Sequence, residues 1–399
     1  MEKYIWERLR RTVRNSSISL PFGTLDVIAG FLVSNILYLL SQTPILLTIY
    51  PMLLTGRGII NGILSGNIST LLHIGVVKTG LRGNTEEFYN LISSIFLLSI
   101  ITGIYIGFLA ILPNVFLGGL STRDMVIGFL TAFYTILVSV YINMPITIYL
   151  ASKSFESALD PDIVVYPIMS TLADLLLSLI YVSISLTIFY LYLQNTFILI
   201  ITTILTVIPA SIHLTYHRLG RFGGRIFREA TPVIAILVGL STFTGGILTG
   251  LLERLIENPL ILIVYPAFAT LMGDVGAIIG SITTTRIQLG ELDIKFRETA
   301  KLLPEILGVE SIALIMITIS NLMAGILTKT QIGVFYETLI NFYIANLILL
   351  PPLLIISISA AFLTFRRGLN PDNFVIPVET TIMDILTAAI LLLILNITY

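Results

Sequence analysis

Apolar runs, each near or above the about 20 residues a helix needs to cross a bilayer, alternate with short polar stretches along almost the whole chain. They fall near residues 24–42, 45–77, 88–112, 125–149 and 163–193, then 196–214, then 230–252, 259–285, 306–328, 333–363 and 374–397. The pattern predicts an all-α polytopic membrane protein of about eleven transmembrane helices, grouped five, one, five. The first 22 residues read differently. Their basic residues recur on an amphipathic period, without the apolar core and small-residue cleavage site of a signal peptide, which predicts an interfacial or cytoplasmic helix. The expected organisation is a basic segment at 1–22, a membrane repeat at 23–195, a connector helix and basic cytoplasmic loop at 196–228, and a second membrane repeat at 229–399.

Composition strengthens the membrane reading. The chain is 56% hydrophobic and 11% charged, whereas soluble domains carry roughly 25% charged residues. A net charge of −1 argues against a nucleic-acid partner, and the absence of cysteine excludes disulfides and thiolate chemistry. Nucleotide-binding and hydrolase motifs are missing, so no enzyme is expected. With a cytoplasmic N-terminus and eleven crossings, only Arg123, Arg254 and Lys329 fall outside and Arg57 within a span; all other Lys and Arg residues are cytoplasmic. The C-terminus is then outside a cell membrane. Without the sixth span the second repeat would be inverted and its charge bias reversed, so the connector helix keeps the repeats parallel.

The repeats share polar positions. LDPDIVVYPIMSTLAD, ending at Asp174, returns as LNPDNFVIPVETTIMD, ending at Asp384. Pro161, Asp162, Pro167, Thr171 and Asp174 correspond to Pro371, Asp372, Pro377, Thr381 and Asp384. Earlier in each half, Pro44, Tyr50, Pro51 and Gly58 correspond to Pro259, Tyr265, Pro266 and Gly273. An aspartate deep in an apolar helix costs about 2.5–3.5 kcal/mol even on lenient insertion scales. Two at matched positions of an internal repeat point to a cation site on a pseudo-twofold axis. Small residues at four-residue spacing, Gly58, Gly62 and Gly66 and then Gly273, Ala277 and Ser281, predict close helix packing or exposed backbone carbonyls along a water-filled path.

These motifs resemble those of the MgtE-type magnesium channel and transporter family, especially its tandem-repeat solute-carrier branch. The fifth membrane helix of that family carries D-P-x…P-x-x-T-x-x-D, matched by residues 160–174 and, with Asn370 for the first aspartate, by 370–384. Its second helix carries Pro, six residues, then Gly-Asn; Pro266, Gly273 and Asp274 are similar with Asp for Asn. Pro51, Arg57 and Gly58 resemble the basic-Gly form of the solute-carrier branch, with Ile59 at the polar position. The resemblance implies a five-helix unit that pairs around a magnesium pore, so that one chain works as a monomeric pseudo-dimer.

The expected function is transport of a divalent metal cation, with Mg2+ as the transported ion, through a carboxylate-lined pore between pseudo-symmetric repeats in a lipid bilayer. Asp174, Thr171 and Ser170 share a helix face, repeated by Asp384, Thr381 and Thr380. With the helix entering near residue 163 and rising 1.5 Å per residue, Asp174 is roughly 16 Å deep, near the bilayer midplane. Magnesium keeps several waters when one or two carboxylates hold it. Asp274 stands as a further metal-path residue, and Gly58, Gly273, Arg57, Glu379, Asn143 and Asn346 as pore-lining candidates. For Arg57 the expected partner is Asp274 or Asp174 across the pseudo-axis, with snorkelling or structural pairing as the other readings. The rival functions are an Na+- or H+-coupled carrier of divalent cations and a non-transporting membrane scaffold.

Overall fold

A computed structural model describes residues 2–117, 119, 121–156, 161–194, 220–294, 296–366 and 371–398. Helix α1 spans Glu2–Ser19, α2 Asp26–Ser34, α3 Leu37–Gln42, α4 Ile45–His73, α5 Glu86–Leu109, α6 Ile111–Leu117, α7 Thr122–Glu156 and α8 Pro161–Gln194. Then α9 spans Gly220–Gly250, α10 Leu252–Glu257, α11 Pro259–Gln288, α12 Leu303–Thr328, α13 Ile332–Arg366 and α14 Pro371–Thr398. Helix is the expected answer for spanning segments, because lipid offers no partner to an unpaired backbone N–H or C=O. Among the described residues ten helices are long and apolar enough to cross a membrane. The eleventh expected span, 196–214, lies outside the described residues. Residues 220–228, expected as basic loop, form the first turns of α9.

The chain packs as two compact units: residues 1–35 with 253–399, and residues 36–252. In the first, α2 lies against α11 and α1 against α12, while α11 also packs on α13 and α14. In the second, α9 lies against α4 and α5, and α4 packs on α7 and α8. The units therefore cut across the sequence repeats: the helix that opens each repeat is built into the helices of the other.

Two pairs of contacts repeat this exchange in the same register. A Cβ placed on Gly30 of α2 would stand 2.3 Å from the Ile263 carbonyl oxygen of α11. One on Gly245 of α9 would stand 2.1 Å from the Thr48 carbonyl oxygen of α4. Both steps advance 215 positions, from Gly30 to Gly245 and from Thr48 to Ile263. The hydroxyls follow suit. Thr270 donates to Asp26 at 2.8 Å in one unit, and Ser241 donates to Thr55 at 2.7 Å in the other. Only glycine lets two helix backbones approach this closely.

Helix α1 is held by charge as well as by packing. Arg8 reaches Glu305 at 3.0 Å and Glu291 at 3.2 Å, while Arg286 approaches both carboxylates at 3.5 Å and donates to the Lys301 carbonyl at 2.8 Å. Glu305 and Arg286 are buried. Arg8→Ala removes bonds to charged groups, each contributing about 1.5 kcal/mol. We expect roughly a hundredfold faster amide exchange along α1, read by hydrogen–deuterium exchange. Unchanged exchange would show that apolar packing alone docks the helix.

Candidate functional site

In the unit of residues 36–252, two hydrogen bonds and a ring contact dock α8 on α4, and a bond within α8 holds the serine that makes one of them. Tyr50 and Ser178 share a hydrogen bond of 2.9 Å, Ser178 donates to the Asp174 carbonyl at 2.8 Å, and the Tyr181 hydroxyl donates to the Leu46 carbonyl at 2.8 Å. The Tyr50 and Tyr181 rings stand 5.3 Å apart. This apolar lock with polar pins sets α8 so that Asp174 meets Arg57, and the two form a salt bridge. The side chains are 4% exposed for Arg57 and 16% for Asp174, so the pair is withdrawn from water. Both residues belong to the first repeat and to one unit, so of the readings open for Arg57 the structure has the pair with Asp174, made within one repeat. Pairing with Asp174 rather than Asp274 follows from the α4–α8 packing.

The second repeat keeps the aspartate and changes its surroundings. Met272 occupies the register of Arg57, Ala388 that of Ser178 and Leu391 that of Tyr181. Asp384 and Thr380 are half-buried and Thr381 is buried, as Thr171 is in the first repeat. A Cβ at Gly273 would sit 3.1 Å from Thr380 Cγ2, so the missing side chain lets α14 close on α11. The side chains of Ser170 and Glu379 lie outside the described residues.

At Gly58, Gly62 and Gly66 no described atom lies within 4 Å of a built Cβ. Among the described residues none packs closely on these glycines. They keep one side of α4 thin, beginning one residue past Arg57.

Asn143 and Asn346 are buried inside their units. Asn143 donates to Ser139 at 3.1 Å, and its Oδ1 has no hydrogen-bond partner among the described residues. Asn346 donates to Glu310, so this pair is made inside one unit by residues that lack repeat partners.

Asp274 has a neighbour that the sequence reading passed over. Asp26, 2% exposed, accepts from Thr270, one helical turn before Asp274 on α11. A Cβ at Gly23, one turn before Asp26, would lie 3.8 Å from Asp274 Oδ2 and 3.3 Å from Thr270 Cγ2. Asp26 and Asp274 thus flank one threonine. The signal was present: Asp26 is the only charged residue between Arg14 and Arg57. It was missed because Ser241 stands at its repeat position. Among the described residues no three His, Cys, Asp or Glu side chains come together.

Long apolar helices with an internal repeat and aspartates set inside them define a polytopic membrane protein of the ion-transport class. The chain belongs to the MgtE divalent cation transporter family, whose sequence model matches residues 50–184 and 265–394. Each matched segment begins at the tyrosine of a Tyr-Pro pair and runs past the repeated aspartate. The exchanged helices α2 and α9 lie outside the matched segments. The family is one of transporters rather than enzymes. No curated protein and no solved structure matches the chain.

Proposed function

We propose that the protein moves Mg2+ down its electrochemical gradient along a path to which Asp174 and Asp384 each contribute a carboxylate. The observation that carries this reading is the duplicated P-D…P…T-x-x-D pattern, within both family-matched segments and at equal depth in its helices. Packing alone gives no reason to bear the cost of an intramembrane aspartate twice in register. Magnesium fits because it retains water and is held by few carboxylates. Thr171, Thr381 and Thr380 supply hydroxyl oxygens on the same helix faces, and Asp274 extends the acidic path. One chain suffices, its two repeats standing for the two subunits of a dimeric relative.

The test is Mg2+ entry into proteoliposomes holding the wild type or the Asp174→Asn/Asp384→Asn double variant, each confirmed folded by its elution profile. Flux in the wild type that falls to the protein-free background in the double variant supports the reading. Full flux in a well-folded double variant makes both aspartates structural. One observation favours a coupled carrier as the second reading: Arg57 already places a cation on Asp174, as an exchange mechanism needs. Wild-type flux that requires an opposing Na+ or proton gradient would select the carrier.

A further inference from the structure

The Arg57–Asp174 pair has surroundings that a purely structural ion pair does not need. The Arg57 guanidinium makes its salt bridge through a terminal nitrogen, while its Nε, also buried, has no partner among the described residues. Beside it is a cavity of about 10 Å³ lined by Arg57, Ile60, Asn61, Ile95, Asn143 and Met144. That volume is about what one water requires. Asn143, whose Oδ1 also has no partner among the described residues, lines this cavity together with Arg57. Asn61 is committed elsewhere, accepting from Thr147 at 2.9 Å. A guanidinium normally saturates several of its five donors when buried. Here it is tied through one nitrogen and borders a small recess walled mostly by apolar side chains, with Asn61 and Asn143 as its other polar residues.

We propose that Arg57 is a tethered counter-cation, which occupies Asp174 when no metal is there and which an arriving divalent cation displaces. This deepens the transport reading above and rests on it. A single positive charge resident on the carboxylate weakens metal binding by competition and by repulsion. It also speeds release, because the guanidinium returns to the carboxylate as the ion leaves. Arg57 thereby sets the concentration range of transport. In the second repeat Met272 brings no charge to the register of Arg57.

The experiment compares wild type, Arg57→Met and Arg57→Lys, with MgCl2 as the only divalent salt and ionic strength held constant. Thermal unfolding in detergent reads binding without needing flux, and proteoliposome uptake reads transport. In Arg57→Met the half-saturating Mg2+ concentration should fall about tenfold, inside the 5–150-fold range usual for coupled sites. Its maximal flux should fall as well, because release slows. Mg2+ should raise its melting temperature several times more than that of the wild type. Arg57→Lys, which keeps the charge, should stay near the wild type. Should Arg57→Met not fold with or without Mg2+, Arg57→Gln carries the same comparison.

Equal Mg2+ dependence in wild type and Arg57→Met overturns the tether, and so does a lysine variant that behaves as the methionine one. Wild type without Mg2+ flux would instead defeat the transport reading. The melting comparison still decides the tether in that case.

Discussion

Asp174→Asn should lower the unfolding free energy by about 3–5 kcal/mol, and adding Arg57→Met should recover most of that loss. The amide leaves the shape of the site nearly unchanged, so packing is not the cause. What remains is a guanidinium inside the helix bundle with its only charge partner among the described residues removed. A buried charge without compensation costs far more than the pair contributed when intact. Taking away Arg57 as well removes the uncompensated charge, and methionine is the residue that the second repeat already carries at this register. Equilibrium unfolding in detergent, run as a double-mutant cycle, measures the coupling directly. If Asp174→Asn unfolds like the wild type, the pair is solvated in the native protein and the tether loses its basis. The cycle also separates two meanings of lost transport. A folded Arg57→Met/Asp174→Asn protein that fails to carry Mg2+ lacks a ligand rather than a fold.

Hydropathy made the helices legible because length and apolarity are local properties of the chain. From the second span onward the described helices therefore lie close to the expected ones, from 45–77 against Ile45–His73 to 374–397 against Pro371–Thr398. The first, expected at 24–42, breaks after Ser34, and the apolar stretch long enough to cross there is Trp6–Ser34. Partner choice is not local. Nothing in the apolar run containing Gly30 says that its neighbour is the helix of Ile263 rather than that of Thr48, since both carry the same Tyr-Pro framework. The exchange became visible only when the glycines met their carbonyls. The same limit governed Arg57. A cation in a span announces a carboxylate partner, and sequence narrowed the choice to Asp174 or Asp274; the α4–α8 packing selected Asp174. Asp26 shows the opposite failure. Its charge stands alone in an apolar run, but internal repetition marks only residues that recur, and Asp26 faces Thr270 where its counterpart Ser241 faces Thr55.

Alanine at Gly30 or Gly245 should be among the most damaging small substitutions in the chain, costing about 2–3 kcal/mol each or preventing assembly altogether. A methyl group at these sites would enter within 2.3 and 2.1 Å of the Ile263 and Thr48 carbonyl oxygens. The obstacle is helix backbone on both sides, which cannot turn aside as a flexible side chain can. Relief requires moving α2 from α11, or α9 from α4, and so loosens the packing along the whole contact. It would also lengthen the Thr270–Asp26 or Ser241–Thr55 bond about one turn away. Gly62 and Gly66 supply the control, because no described atom lies within 4 Å of a Cβ built there. Alanine at those sites should stabilise the helix by about 0.5–1 kcal/mol through its better propensity. Unfolding midpoints of the four single variants test the contrast. A loss at Gly30 and Gly245 beside a gain at Gly62 and Gly66 would locate the tight seams of the fold at the exchanged helices. Comparable effects at all four would mean that the exchange is not held by glycine. Under the proposed transport path the seam has a further consequence: α4 and α11 carry Arg57 and Asp274, so any shift of the exchanged helix against its partner is felt by the helices that present these charged groups.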